Sequence, residues 1–184
     1  EEGETTSALS RALRALGEPS PHCAVVLAAN PDGLSRGTRC NARGVELNRN
    51  FPTRDWQPDA VMHRSTLDAP RDVALSPGDG PGSEPETQGL IQLIQALEPN
   101  AVVALHAPLA CIDDPNDSAL GRWLAERTEL PLVPDVGYPT PGSFGTWGAE
   151  QGLPVVTYEF GQTTPDGAAA EHVPVLVDLL SQRI

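Results

Sequence analysis

The sequence predicts an α/β fold, in which a mixed, mostly parallel twisted sheet carries helices on both faces. Two observations favour it. Short, almost wholly apolar runs alternate along the chain with segments whose apolar residues recur at helical spacing. Polar residues follow several of these runs, and ligands bind outside the carboxyl ends of the strands in such sheets. The length of 184 residues, 39% of them hydrophobic, fits one domain over residues 1–184 with a substantial core.

The first half of the chain contains one predicted helix, one predicted strand and a long irregular segment. Residues 6–16 carry apolar side chains at helical spacing, and a glycine and a proline follow them. The run Cys23–Ala29 is almost wholly apolar and predicts a buried strand, which Asn30–Gly33 ends. Residues 34–82 show little periodicity, and an irregular stretch of this length within a domain is typical of a functional or a mobile segment.

A second helix and a second strand are predicted next. Ser83 is expected to cap the helix, because Glu86 lies three residues on, as a capping box requires. The apolar stripe of this helix consists of Leu90, Ile91, Ile94 and Leu97. Pro99 ends it. Ala101–Leu105 is the following buried strand, and His106 stands at its carboxyl end.

Two further helices and two further strands complete the predicted fold. Residues Asp117–Arg127 read as a helix and Leu132–Val133 as a weak strand. The run Leu153–Phe160 predicts another strand, with Glu159 near its end, and Gly167–Leu180 predicts the last helix. Asp32, which follows the first predicted strand, His106 and Glu159 therefore all fall at strand ends, which is the first indication of a site.

Charge and cysteine content exclude several classes of function. Twelve basic and 25 acidic residues give a net charge of -13, which disfavours nucleic acid and anionic membranes as partners. No apolar run approaches the roughly 18 residues needed to span a bilayer. The thiols Cys23, Cys40 and Cys111 lack a metal-type or redox-type spacing, which suits a reducing cytoplasm.

The candidate catalytic residues each have a second, structural interpretation. His106 is either a metal ligand or a structural polar group at a strand end. Burial of the Glu159 carboxylate costs desolvation free energy unless the group is paired, metal-bound or exposed at the end of its strand. Cys111 follows His106 by five residues, but nothing in the sequence orients the two as a nucleophilic pair.

Arginines and amides are concentrated in one short segment. Arg39 and Arg49 lie within twelve residues that also contain three asparagines, which are Asn41, Asn48 and Asn50. Because a guanidinium binds a carboxylate or an oxyanion through paired hydrogen bonds, this density favours a pocket for an anionic group. The other interpretation is a solvated loop.

These motifs resemble the zinc carboxypeptidase family in their order along the chain. The family pattern is found in Asn30–Gly33, in Arg39 and in Gly44–Pro52, where Glu46 stands in place of the usual aspartate. Further matches follow: His106, then Tyr138 with the glycine, serine and tryptophan after it, then the strand Thr157–Phe160 that carries Glu159. The resemblance covers essentially all of the chain.

The resemblance implies a zinc site and a role for each matched residue. Zinc would be held by Glu2, His106 and a further histidine expected upstream of Glu1; this alignment also leaves the early strands of the fold outside the chain. Glu159 would be the general base, and Arg39 would stabilise the oxyanion. The substrate would be bound by Asn48, Arg49 and Tyr138.

The resemblance also implies a substrate. Residues 81–88, 108–115, 136–138 and 141–145 are similar to family members that hydrolyse the γ-D-glutamyl–meso-diaminopimelate amide bond of free murein peptides. A cytoplasmic metallopeptidase of cell-wall recycling, acting on a small peptide, is therefore expected. Three alternatives stay open: a metallocarboxypeptidase of broader specificity, an N-acyl amino acid deacylase, and a non-catalytic peptide-binding fragment. Asp113 and Asp114 are candidates for contact with an amino group of the substrate.

Overall fold

A computed structural model describes residues 3–17, 20–65 and 71–181. Within these residues the helices are α1 (Gly3–Leu16), α2 (Pro31–Arg36), α3 (Pro85–Leu97), α4 (Ala119–Thr128), α5 (Phe144–Glu150) and α6 (Pro165–Leu180). The strands are β1 (Val61–Ser65), β2 (Arg71–Leu75), β3 (Val102–His106), β4 (Leu109–Asp113), β5 (Leu132–Val133) and β6 (Val155–Gly161). None of the helices described is long and apolar enough to cross a membrane.

The chain divides into two compact units. The first unit comprises Glu1–Ala28, Val103–Gly137 and Val156–Ile184. The second unit comprises Ala29–Val102 and Tyr138–Val155. The expectation of a single domain over residues 1–184 stays a prediction.

A four-stranded sheet, almost all of it in the first unit, has the strand order β3-β6-β4-β5. β4 pairs with β5 in parallel and with β6 in the antiparallel direction. In the antiparallel pair Cys111 lies opposite Glu159, and Ile112 lies opposite Tyr158. The predicted α/β class with a mixed sheet and flanking helices is confirmed.

One face of this sheet forms the hydrophobic core of the first unit. Ile112, Tyr158 and Phe160 have no solvent exposure and pack in one cluster with residues of α1, α4 and α6. Successive side chains of a strand point to opposite faces. Cys111 and Glu159 therefore lie on the face of the sheet that is turned away from this core.

His172 is a buried polar side chain of α6 within the same core. Its Nδ1 atom lies 2.7 Å from the hydroxyl oxygen of Tyr158. Its ring stacks on Phe160, with 3.8 Å between the ring centroids. Burial lowers the pKa of His172, an effect that Glu171 partly offsets, so the neutral imidazole is favoured in the folded chain.

The second unit contains the β1–β2 hairpin, in which Val61 lies opposite Leu75, together with the helices α2, α3 and α5. An aromatic cluster joins α5 to the loop that precedes the hairpin. Phe51 lies 5.1 Å from Phe144 and 5.9 Å from Trp147, measured between ring centroids. Such tilted pairs add to the stabilisation that burial of the rings provides.

A buried hydrogen-bond network holds the loops of the second unit together. Asn50 is fully buried, and its Nδ2 atom contacts the carbonyl oxygens of Pro77 and Gly80 and the hydroxyl of Ser83. Its Oδ1 atom accepts from the backbone N–H of Glu84 at 3.1 Å. The side chain of Asn50 thus provides hydrogen-bond partners for four polar groups of the surrounding loops, which water does not reach.

Three sequence predictions about the elements are wrong. Cys23–Ala29 is not a strand; it forms no ladder, and Val26 and Leu27 are 42% and 46% exposed. Asp32 therefore does not follow a strand end but lies in the first turn of α2. Ser83 does not cap α3, because its hydroxyl donates to the carboxylate of Glu84, the residue that occupies the N-cap position without a side-chain cap. Residues 34–82 are not irregular throughout, since they contain the end of α2 and the β1–β2 hairpin.

Asn50→Ala is expected to lower the free energy of unfolding by about 3 kcal/mol, because it leaves several buried backbone groups without partners. Urea unfolding followed by circular dichroism measures the change. Asn100→Ala, at an exposed position, is the matched control and is expected to have little effect. Equal losses in the two variants would contradict the scaffold role of Asn50.

Acid is expected to destabilise the first unit through His172. Because burial lowers its pKa in the folded chain, the unfolded chain binds the proton more readily, and stability falls as pH drops below about 6.5. Urea unfolding at about pH 7.5 and about pH 5 is expected to show a smaller pH-dependent loss in His172→Gln than in the parent. The same loss in both proteins would show that another group carries the pH dependence.

Candidate active site

Arg39, the predicted oxyanion residue, is positioned by the motif that precedes it. Asn30 caps α2, since its Oδ1 atom accepts from the N–H of Gly33 at 2.9 Å. The amide nitrogen of the same side chain donates to the carbonyl oxygen of Arg39 at 3.0 Å. The Asn-Pro-Asp-Gly motif therefore begins a helix and also fixes the backbone from which Arg39 extends.

Glu46 fixes the side chain of Arg39. The Nε atom of Arg39 donates to Oε2 of Glu46 at 2.5 Å, and the glutamate is only 6% exposed. Its second oxygen accepts from the N–H of Asn48 at 3.3 Å. In the sequence Glu46 stood out only as a departure from the family aspartate, and no local pattern indicated its contact with Arg39. This ion pair holds the side chain of Arg39 in one orientation.

Arg49 is a buried cation within the second unit. It is 3% exposed, and its Nη1 atom donates to the carbonyl oxygen of Asn48 at 2.6 Å. Its Nε atom is buried and has no hydrogen-bond partner among the described residues. Burial lowers the pKa of Arg49, whereas Glu46 and Tyr138 act in the opposite direction. A buried guanidinium with an unused donor is suited to bind a carboxylate of a ligand.

Contacts of Asn48 and Gly142 hold the backbone around Arg49 against the start of α5. The Oδ1 atom of Asn48 accepts from the N–H of Phe144 at 2.8 Å, which fixes the orientation of the amide. Gly142 has a φ of 71°, and a Cβ atom there would lie 2.3 Å from the carbonyl oxygen of Arg49. The N–H of Phe51 donates to the carbonyl oxygen of Gly142 at 2.9 Å. The backbone contact therefore requires a glycine at position 142.

Tyr138 is an exposed residue of this unit, with 47% of its surface accessible. The structure thus places four predicted residues of the second unit, Arg39, Asn48, Arg49 and Tyr138, within one region. Asn41 is not part of this region, because its amide donates to the buried carboxylate of Glu84 at 2.8 Å. The prediction that all three asparagines line an anion pocket is therefore wrong for Asn41, as it is for Asn50.

The first unit contains the other two predicted residues, His106 and Glu159. Glu159 lies on β6 and is 7% exposed, and its Oε2 atom accepts from the N–H of Leu109 at 3.4 Å. His106 ends β3, which is the neighbour of β6 in the sheet. The sheet therefore brings both side chains to adjacent strands.

Cys111 is not an activated nucleophile. The thiol is buried opposite Glu159, and burial, aided by Glu159 and Asp113, raises its pKa to about 11. It is therefore protonated near neutral pH, and the thiolate is the reactive form. A Cys/His nucleophilic pair is excluded by this environment.

The predicted zinc ligands are only partly described. Glu2 lies outside the residues that the structure describes, and His106 lies at the end of β3. Among residues 3–17, 20–65 and 71–181 no group of three or more His, Cys, Asp or Glu side chains could hold a metal ion. These residues alone therefore do not fit a complete zinc site.

Residues 22–112 match the zinc carboxypeptidase family. Murein peptide amidase A of Escherichia coli (strain K12) is 48% identical over 181 residues, which are 98% of this chain and 75% of the relative. The protein of that name from Vibrio campbellii (strain ATCC BAA-1116) is 42% identical over 98% of this chain and 73% of its own length.

A solved structure has the same fold. The crystal structure of murein-tripeptide amidase from Escherichia coli O157 superposes with a TM-score of 0.90 at 47% identity. The match covers 98% of this chain and 76% of that one. With this identity over most of the length of its relatives, the chain is a hydrolase that belongs to the zinc carboxypeptidase family.

Proposed function

We propose that this protein hydrolyses the amide bond between the γ-carboxyl of D-glutamate and meso-diaminopimelate in free murein peptides, in the cytoplasm, as a step of cell-wall recycling. The buried guanidinium of Arg49, with a donor that no described residue uses, is the observation that carries the proposal. A buried cation of this kind favours a substrate with a free carboxylate next to the scissile bond. The names of the relatives from Escherichia coli and Vibrio campbellii supply the peptide class.

Zinc is the metal that the family implies. We assign His106 and Glu2 as two of its ligands. When bound, zinc would polarise the scissile carbonyl and acidify a water molecule. The described residues do not complete a zinc site. The catalytic roles proposed for this chain therefore belong to its own side chains.

Arg49 and Asn48 hold the substrate. Arg49 offers its free Nε–H to the carboxylate of diaminopimelate that flanks the scissile amide. The Oδ1 atom of Asn48 is engaged by Phe144, which leaves its Nδ2 atom as a second donor. Tyr138, exposed in the same unit, covers the bound peptide.

Glu159 and Arg39 carry out the proton transfer and the charge stabilisation. Glu159 takes a proton from the attacking water, whose oxygen bonds to the carbonyl carbon, and gives a proton to the amine nitrogen as the C–N bond breaks. Arg39, held by Glu46, donates to the carbonyl oxygen while that oxygen is negative. The products are a free γ-carboxylate and free diaminopimelate.

Glu159→Gln is expected to lower kcat by about 1000-fold or more, because the amide cannot accept the proton. The assay measures release of diaminopimelate from L-Ala-γ-D-Glu-meso-diaminopimelate by the full encoded polypeptide supplied with zinc. Zinc content and peptide binding are expected to stay close to those of the parent. Glu126→Gln, on the exposed side of α4, is the matched control. Turnover near the parent rate in Glu159→Gln would refute the assignment.

Arg49→Ala is expected to raise KM roughly 10- to 100-fold with a smaller change in kcat, since a charge-assisted hydrogen bond to the substrate is lost. Steady-state kinetics on the same tripeptide provide the measurement. Arg122→Ala removes an exposed arginine that pairs with Asp117, and it is expected to leave KM unchanged. An unchanged KM in Arg49→Ala would remove this residue from the carboxylate site.

A further inference from the structure

Asp113 shares a sheet face with the proposed general base. It lies opposite Thr157 in the β4–β6 pair, two residues along from Cys111, which lies opposite Glu159. Ile112, between the two, points into the hydrophobic core. Asp113 and Glu159 are therefore diagonal neighbours on the other face, where such residues are about 7 to 8 Å apart.

The carboxylate of Asp113 is incompletely satisfied. Its Oδ1 atom is buried and has no hydrogen-bond partner within the described part of the chain. Burial raises its pKa, Asp135 and Asp114 add to the rise, and His106 opposes it. A buried carboxylate oxygen without a donor is costly, and an ammonium group from a ligand would relieve that cost.

Asp114, the other acidic candidate of the sequence, has a structural role. It is 2% exposed, and its two oxygens accept from the N–H groups of Asn116 and Ser118 and from the hydroxyl of Ser118. These bonds fix the turn that leads into α4, whose N-cap is Ser118. Because both of its carboxylate oxygens are engaged by the turn, Asp114 is not the residue that binds an amino group of the substrate.

We propose that Asp113 determines substrate specificity by accepting a hydrogen bond from the distal ammonium of the diaminopimelate side chain. This inference rests on the proposed function. A substrate without that amine would leave the buried Oδ1 atom unpaired, and sites built to pair a polar group reject analogues that lack it. Asp113 thus selects the leaving amino acid, while Glu159 on the same face moves the proton.

Three tripeptides test the inference in the parent and in Asp113→Asn. They carry meso-diaminopimelate, lysine, which keeps the ammonium without the distal carboxylate, or 2-aminopimelate, which keeps the carboxylate without the distal amine. The parent is expected to prefer diaminopimelate over 2-aminopimelate roughly 10- to 100-fold in kcat/KM. In Asp113→Asn, kcat/KM is expected to fall by that same factor on the diaminopimelate and lysine peptides. On the 2-aminopimelate peptide kcat/KM is expected to equal that of the parent.

The controls separate failure of this inference from failure of the proposed function. Asp59→Asn, at an exposed position, is expected to retain the preference of the parent. Equal losses by Asp113→Asn on all three peptides, or a parent that does not distinguish diaminopimelate from 2-aminopimelate, would overturn the role of Asp113 alone. A parent that cleaves none of the three peptides, while it cleaves another class of amide, would overturn the proposed function and the inference with it.

Discussion

Burial of polar side chains is the constraint on which both units of this protein depend. Asn50 and Glu84 have no solvent exposure, and each of them is satisfied by several partners from neighbouring loops. Where the chain supplies all the partners, the polar residue is part of the scaffold. At Nε of Arg49 and Oδ1 of Asp113 the described residues supply no partner, and these are the two atoms to which we assign contacts with the proposed substrate.

The same constraint explains which parts of the fold were predictable. Strands β3 and β6 and helices α1, α4 and α6 form the core of the first unit, so their apolar periodicity indicated them directly. Cys23–Ala29 has the same composition but forms no ladder, and composition alone cannot distinguish a buried strand from an unpaired apolar segment. β4 was missed because its apolar run, Leu109–Ile112, is only four residues long and lies between Pro108 and Asp113.

Sequence motifs led to the proposed site residues, but they did not reveal the partners that hold those residues in place. The run from Gly44 to Pro52 matches the family pattern, and that match identified Asn48 and Arg49 as candidates. The role of Glu46 depends on its contact with Arg39, seven residues away, and no local pattern reports such a contact. Asn41 and Asn50 looked like their neighbour Asn48, and only their buried partners show that they belong to the scaffold.

The close approach of Gly142 to the carbonyl oxygen of Arg49 has an evolutionary consequence. Any side chain at position 142 would displace the segment whose guanidinium faces the proposed carboxylate. Drift at this position is therefore constrained by a backbone contact, even though glycine itself carries no chemistry.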